Sequence, residues 1–291
     1  MRDRLLALAL AAAVGTIARP ARAFCRTTTC DACPRDADGC TIGGIPIAWR
    51  QRCVSYSLQP DVAPGLTYEG VAAVLDLAFG AWQEVTCTPA DGAPAISASN
   101  AFGVALCQRH EYNQHQANAN IIVFRDASWT YTNATNALAL TTVTYSTRTG
   151  DILDVDMEIN GTMSFSLEPG GNGPDLQSVV THEAGHFLGL DHSQRPGATM
   201  RPYYNPDMQH LGADDIAGIC TIYPPDTSKA PCDFTPRQGF SAECALDPTE
   251  GGRCSTAPGR TAARSGSAAS IGAAAWLLLW RRSRRRRGKA T

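Results

Sequence analysis

The sequence predicts a mixed α+β domain, and three observations carry that prediction. Four stretches read as strands: Cys53–Gln59, Ala119–Phe124, Leu138–Ser146 and Asp151–Asn160. Two segments carry helical periodicity, around Thr67–Val85 and from Leu176 onward. No strand–helix–strand rhythm repeats along the chain, which argues against a doubly wound parallel sheet.

The ends of the 291-residue chain read differently from its middle. Residues 1–23 fit a signal peptide: Arg2 and Arg4 give a basic start, Leu5 to Ile17 is apolar, and Ala21-Arg22-Ala23 supplies a small-x-small cleavage site before Phe24. Residues 24–44 form a cysteine-rich segment with Cys25, Cys30, Cys33 and Cys40. The globular pattern occupies 45–226, and a cysteine-containing linker is expected over 227–262. The tail, 263–291, holds the apolar run Ala268 to Trp280 and then seven basic residues. Such a block holds an apolar helix with its basic end in the cytoplasm, so the expectation is an exported protein, secreted or anchored to the membrane and outer cell surface through this tail.

Charge and cysteine content agree with export. Removing the four arginines and one aspartate before Phe24, and the seven basic residues after Trp280, leaves 14 basic against 26 acidic residues. That balance excludes nucleic acid as a natural partner. Eleven cysteines in an exported chain are most simply disulfides. No second Cys-x-x-Cys completes a zinc knuckle with Cys30–Cys33, so that pair also reads as a disulfide.

Each element has a local cause. In the first helix Val71, Val74, Leu75, Ala78, Phe79 and Trp82 recur at three and four, and Thr67 caps it, with Gly70 where a full capping box would have glutamate. Arg148-Thr149-Gly150 fits a hairpin turn between the last two strands, and Asn160-Gly161 is another turn signal. Asp175 can cap a helix from Leu176, with Val179, Val180, Phe187 and Leu188 on its buried side.

That helix carries His182 and His186, four apart and therefore on one face, where they can chelate one ion. Zinc suits neutral imidazole nitrogens, and three of them leave a tetrahedral ion one open position. Gly189 can take a positive φ and end the helix in a sharp turn, bringing His192 back as the third ligand. Glu183 sits beside the shared face, where a carboxylate can take a proton from a metal-activated water. A core helix with incidental histidines does not account for all five residues at fixed spacing.

His182-Glu183-x-x-His186-x-x-Gly189-x-x-His192, followed by Ser193, resembles the signature of the metzincin zinc proteases in their matrixin branch. The resemblance implies a metzincin-type zincin fold: a twisted mixed sheet, an active-site helix, a C-terminal helix, and zinc in the cleft between upper and lower subdomains. It implies that Met200 forms the methionine turn beneath the metal and that Pro202-Tyr203-Tyr204 lines the pocket for the residue after the scissile bond. Leu211 to Tyr223, with Asp214 and Asp215, is similar to the family's last helix. Ala139 to Val143 resembles the edge strand along which matrixins lay an extended peptide. The implied activity is zinc-dependent hydrolysis of protein or peptide substrates, with Glu183 as general base.

The likeness has gaps. No PRCGxPD latency motif precedes the domain, and Cys33 to Asp36 is only a superficial echo of one. His110 and His115 do not reproduce the spacing of a second, structural zinc site and read as surface histidines. Calcium is allowed at Asp151, Asp154 or Asp156, although alternating carboxylates on an exposed strand face explain those residues equally well. In the tail, Cys254-Ser-Thr-Ala-Pro-Gly-Arg before the apolar run resembles a myxobacterial C-terminal sorting tag. Cys254 would then be the processed or lipid-modified residue, leaving ten cysteines to pair. Two other functions compete: a catalytically silent protease-fold module for binding or adhesion, and a zinc hydrolase of non-peptide substrates.

Overall fold

A computed structural model of the chain describes residues 24–126, 129, 131, 137–226, 231–243 and, as backbone alone, 271–279. The signal-peptide stretch and Cys254 lie outside the described residues.

The first predicted strand divides in two, β1 (Cys53–Ser55) and β2 (Ser57–Leu58). Helix α1 (Tyr68–Gln83) follows, with Thr67 accepting the Gly70 amide at 3.1 Å as its cap. Next come β3 (Ser97–Ser99), β4 (Ile121–Arg125), β5 (Ala137–Ser146) and β6 (Ile152–Asn160). Helix α2 (Leu176–Phe187) and helix α3 (Ala213–Ile222) flank a short 3-10 turn at Pro206–Gln209. The main sheet runs β2-β4-β6-β5, and a last strand, β7 (Ile271–Leu279), lies on β5. Strands β2, β4 and β6 are parallel, β5 is antiparallel to β6, and β1 pairs with β3 in a separate parallel ribbon. This is the α+β architecture, a mixed sheet with helices packed on it, that the sequence predicts.

The six apolar residues predicted for α1 are all buried, and they meet α2 and the core face of the sheet. Phe79 stacks on Tyr56 at 4.5 Å and meets Phe187 of α2 edge-on at 5.1 Å. Trp82 is fully buried and its indole N–H donates to the Thr181 carbonyl at 2.8 Å. Burying a large apolar side chain contributes about 1.5–3 kcal/mol relative to leaving it exposed. This aromatic group therefore fixes α2, and with it the histidines, against the rest of the core.

The opposite face of β6 corrects an expectation. Asp154, Asp156 and Glu158 are 2%, 2% and 1% exposed, not an open acidic strip. Asp156 accepts the Ile121 and Glu111 amides at 2.7 and 2.8 Å. Glu158 pairs with Arg125 and His110 at 3.0 Å each and accepts the Tyr131 hydroxyl. The carboxylates pin the covering loops, which period-two alternation alone does not distinguish from a solvated face.

Disulfides join Cys25–Cys40, Cys30–Cys33, Cys53–Cys232 and Cys87–Cys220, and Cys107 is also disulfide-bonded. The cysteine-rich segment packs on the domain rather than standing apart, with Thr27 N–H donating to Gly189 O at 3.1 Å. Part of the expected linker does likewise: Asn118 N–H donates to Gly239 O at 3.1 Å, and Phe240 stacks on Phe102 at 4.6 Å.

The C-terminal apolar run departs from its predicted helix. Ile271–Leu279 is an extended strand antiparallel to β5, with Thr141 opposite Trp276 and Val143 opposite Ala274. An unpaired strand edge offers a row of hydrogen-bonding groups that an apolar extended segment can satisfy. Ala139 to Val143 is therefore a covered edge, where the sequence suggested a free one. Among the described residues no helix is long and apolar enough to cross a membrane.

Candidate active site

Helix α2 starts where Asp175 accepts the Ser178 amide at 2.6 Å, and it ends in a glycine turn. The Gly189 amide donates to His186 O at 2.9 Å and the Leu190 amide to Gly185 O at 3.0 Å, the paired bonds of a Schellman motif. Gly189 has φ +93°, and a Cβ there would come within 2.9 Å of the Ile47 carbonyl. Only glycine meets both conditions. The chain reverses and returns His192 to the face that carries His182 and His186.

The three imidazoles converge. His192 Nε2 lies 3.3 Å from His182 Nε2 and 3.2 Å from His186 Nε2. His182 Nδ1 faces the Thr199 carbonyl at 2.7 Å and His186 Nδ1 faces the Leu190 carbonyl at 2.9 Å. A carbonyl only accepts, so both Nδ1 atoms carry the proton and both Nε2 atoms present lone pairs. Burial lowers the pKa of His182 to about 4, and burial with the nearby His182 and Arg35 lowers that of His192 to about 2. Neutral rings with lone pairs aimed at one point repel unless a cation lies between them. Tetrahedral zinc with Zn–N bonds of about 2.0–2.1 Å separates its ligand nitrogens by about 3.3–3.4 Å, so the residues present fit the ion. Among the described residues this is the one group of three or more His, Cys, Asp or Glu side chains gathered closely enough to hold a metal.

Glu183 is fully buried beside them. Its Oε2 accepts the Thr141 hydroxyl at 2.6 Å, while its Oε1 is buried without a hydrogen-bond partner. Burial raises its pKa to about 8, opposed by the Thr141 hydrogen bond. Thr141 was not singled out from the sequence, because β5 is buried on both faces and alternation does not reveal which side meets α2.

Met200 is buried under α2, and its carbonyl accepts the Ser193 amide at 2.8 Å. The paired aspartates hold this turn. Asp215 accepts the Thr199, Met200 and Gly212 amides at 2.7, 3.1 and 2.8 Å, and Asp214 accepts the Ser193 hydroxyl at 2.6 Å. Tyr203 and Tyr204 line a cavity of about 270 Å³ with Thr199, Arg201, Asn205 and Met208, whereas Pro202 and the three histidines do not line it. The Tyr204 hydroxyl accepts the Asp175 amide at 2.8 Å, tying this segment to the start of α2. Tyr203 is 49% exposed. His110 is held by Glu158 and His115 is exposed, so neither joins a metal site among the described residues.

Comparison with known proteins points the same way. Residues 98–224 match the Matrixin family of peptidases (Peptidase_M10). Matrix metalloproteinase-25 of Homo sapiens is 44% identical over 75 residues, 24% of this chain and 13% of that protein. Metalloendoproteinase 1-MMP of Arabidopsis thaliana is 46% identical over 74 residues, 25% of this chain and 18% of that protein. Matrix metalloproteinase-20 of Homo sapiens is 38% identical over 87 residues, 29% of this chain and 18% of that protein. The chain thus spans less than a fifth of the length of these relatives. Fold, motif and family match agree in their similarity to the matrixin peptidases over this part of the chain.

Gly185 faces the methionine turn, and a Cβ there would lie 2.2 Å from Met200 Sδ and 2.8 Å from the Trp82 ring. Overpacking of this kind costs about 1–3 kcal/mol. Gly185→Ala is therefore expected to lower the unfolding free energy by that amount, seen as a lower urea midpoint, and to weaken zinc retention during dialysis. An unchanged midpoint would mean that the turn does not press on α2.

Proposed function

We propose that the chain is a zinc-dependent endopeptidase that hydrolyses protein or peptide substrates, exported and either released or held at the outer cell surface by its C-terminal tail. The observation that carries this reading is the convergence of three imidazole Nε2 atoms beside a buried carboxylate oxygen with no other partner. His182, His186 and His192 would hold the zinc. When bound, zinc supplies Lewis-acid activation of water and of the scissile carbonyl.

The chain's own groups account for the rest. Thr141 occupies Glu183 Oε2 and leaves the buried Oε1 without a partner, free to accept a proton. Glu183 takes the proton of the attacking water at Oε1 and delivers it to the leaving amine. The buried surroundings keep bulk water from competing for that proton.

Several supports are of different weight. The Met200 turn with Pro202, Tyr203 and Tyr204 favours a peptide substrate, with the tyrosines beside the pocket for the residue after the cleaved bond. Nine disulfide-bonded cysteines among the described residues suit an oxidising compartment. Cys254 remains the residue where processing or lipid attachment would fix the protein to the surface. Calcium finds less support than zinc: Asp151 is engaged by Arg50 and Asp156 by two amides, and only Asp154 keeps a buried oxygen without a partner. The silent-module reading requires the loss of a ligand or of the base, and all four groups are present.

Glu183→Ala should keep one zinc per chain and lose at least about a hundredfold in peptide hydrolysis, the usual scale for a general base. Undiminished turnover in that variant would reject the mechanism. A zinc-loaded wild-type protein that cleaves nothing in a mixed peptide library would favour the binding module. The β7 strand covers the edge that an extended peptide would use. A chain ending at Ala262 should therefore cleave peptides several-fold faster than the chain with its tail; equal rates would place the peptide elsewhere.

A further inference from the structure

The third ligand is positioned differently from the other two. His182 and His186 are oriented through their ring Nδ1 atoms by main-chain carbonyls. His192 is held through its main chain: its amide donates to Asp191 Oδ1 at 2.6 Å. The Asp191 side chain is completely buried, and its other oxygen meets Arg35 NH1 at 3.2 Å. Arg35 comes from the cysteine-rich segment, on a loop closed by Cys25–Cys40 and Cys30–Cys33, where NH1 also donates to Gly39 O at 2.6 Å.

The same segment grips the turn on both sides of Asp191. Thr27 N–H donates to Gly189 O at 3.1 Å, and the Asp191 amide donates to Cys25 O at 3.0 Å. Thr27 Oγ1 donates to Leu190 O at 3.1 Å, the carbonyl that also receives His186 Nδ1. Farther out, Arg195 pairs with Asp38 at 3.3 Å, with both side chains about 41% exposed. The inner pair differs in its carboxylate: Arg35 is 46% exposed, but the Asp191 side chain is completely buried. A buried carboxylate is retained only when it is paired and hydrogen-bonded, and breaking such a pair leaves an uncompensated charge. Here that charge sits one residue from a metal ligand and holds its amide.

We infer that Arg35, presented by the disulfide-closed N-terminal loop, is a positioning residue for the zinc site, acting through Asp191 to set the place of His192. This rests on the proposed zinc reading. Partners behind metal ligands typically change metal affinity by about 10–100-fold when removed.

The test uses the mature chain from Phe24 onward, stripped of metal, with zinc affinity measured by chelator competition and the visible spectrum recorded after cobalt(II) loading. Thermal melting of the metal-free protein is followed in parallel. Arg35→Ala should weaken zinc binding by at least about tenfold and alter the cobalt bands, while the metal-free melting temperature stays within a few degrees. Arg195→Ala, which removes only the outer pair, should leave affinity and spectrum unchanged. Wild-type zinc affinity and cobalt bands in a folded Arg35→Ala protein would overturn the inference. So would equal losses in Arg35→Ala and Arg195→Ala, which would mark a general packing role for the loop. If Arg35→Ala does not fold, Arg35→Lys, which keeps the charge without the planar guanidinium, decides on the same readouts. His192→Ala separates the two levels: unchanged zinc affinity there would reject the ligand set itself, whereas lost affinity there with wild-type affinity in Arg35→Ala would reject the positioning role alone.

Discussion

Three uncharged imidazole nitrogens aimed at one another across 3.2–3.3 Å are the constraint on which the rest of this structure depends. Without a cation such an arrangement is repulsive, and its maintenance needs rigid support from outside the triad. That support can be followed outward. The Thr199 and Leu190 carbonyls fix two rings, and Asp215 fixes Thr199 and the methionine turn through three amides. Leu190 and Asp191 are in turn held by the N-terminal segment. The folded scaffold thus carries the cost of assembling the three imidazoles in advance, which is how a metal site would gain affinity and a defined geometry.

The same design separates the two oxygens of Glu183. One is spent on Thr141 and the other is left buried and unpaired, a condition that costs stability. Groups left unsatisfied inside a protein concentrate where chemistry is done. In the proposed enzyme that oxygen is the proton acceptor, so the instability of the resting site and its basicity have one cause. The burial that raises the pKa of Glu183 also lowers those of the three histidines.

Much of this was legible in the sequence because short-range rules govern it. The fixed spacing from His182 to His192, the Asp175 cap, the Gly189 turn and the buried side of α1 each follow from local geometry, and each residue lies where that geometry puts it. What stayed hidden depends on contacts between distant segments. The burial of Asp154, Asp156 and Glu158 requires knowing that loops near His110 and Ile121 fold over β6. Thr141 meets Glu183 across 42 residues, and Arg35 meets Asp191 across 156. The apolar tail illustrates a different limit: composition marks Ile271–Leu279 as a segment that avoids water, and both a membrane helix and a covering strand satisfy that demand.

The central claim is that one zinc ion sits among His182, His186 and His192. The most direct measurement is the anomalous X-ray scattering of crystals grown with zinc, recorded on either side of the zinc absorption edge. The account predicts one strong anomalous peak bonded to all three Nε2 atoms, with Glu183 Oε1 facing the remaining coordination position. A peak elsewhere, or histidine rings turned apart around an empty centre, would contradict it.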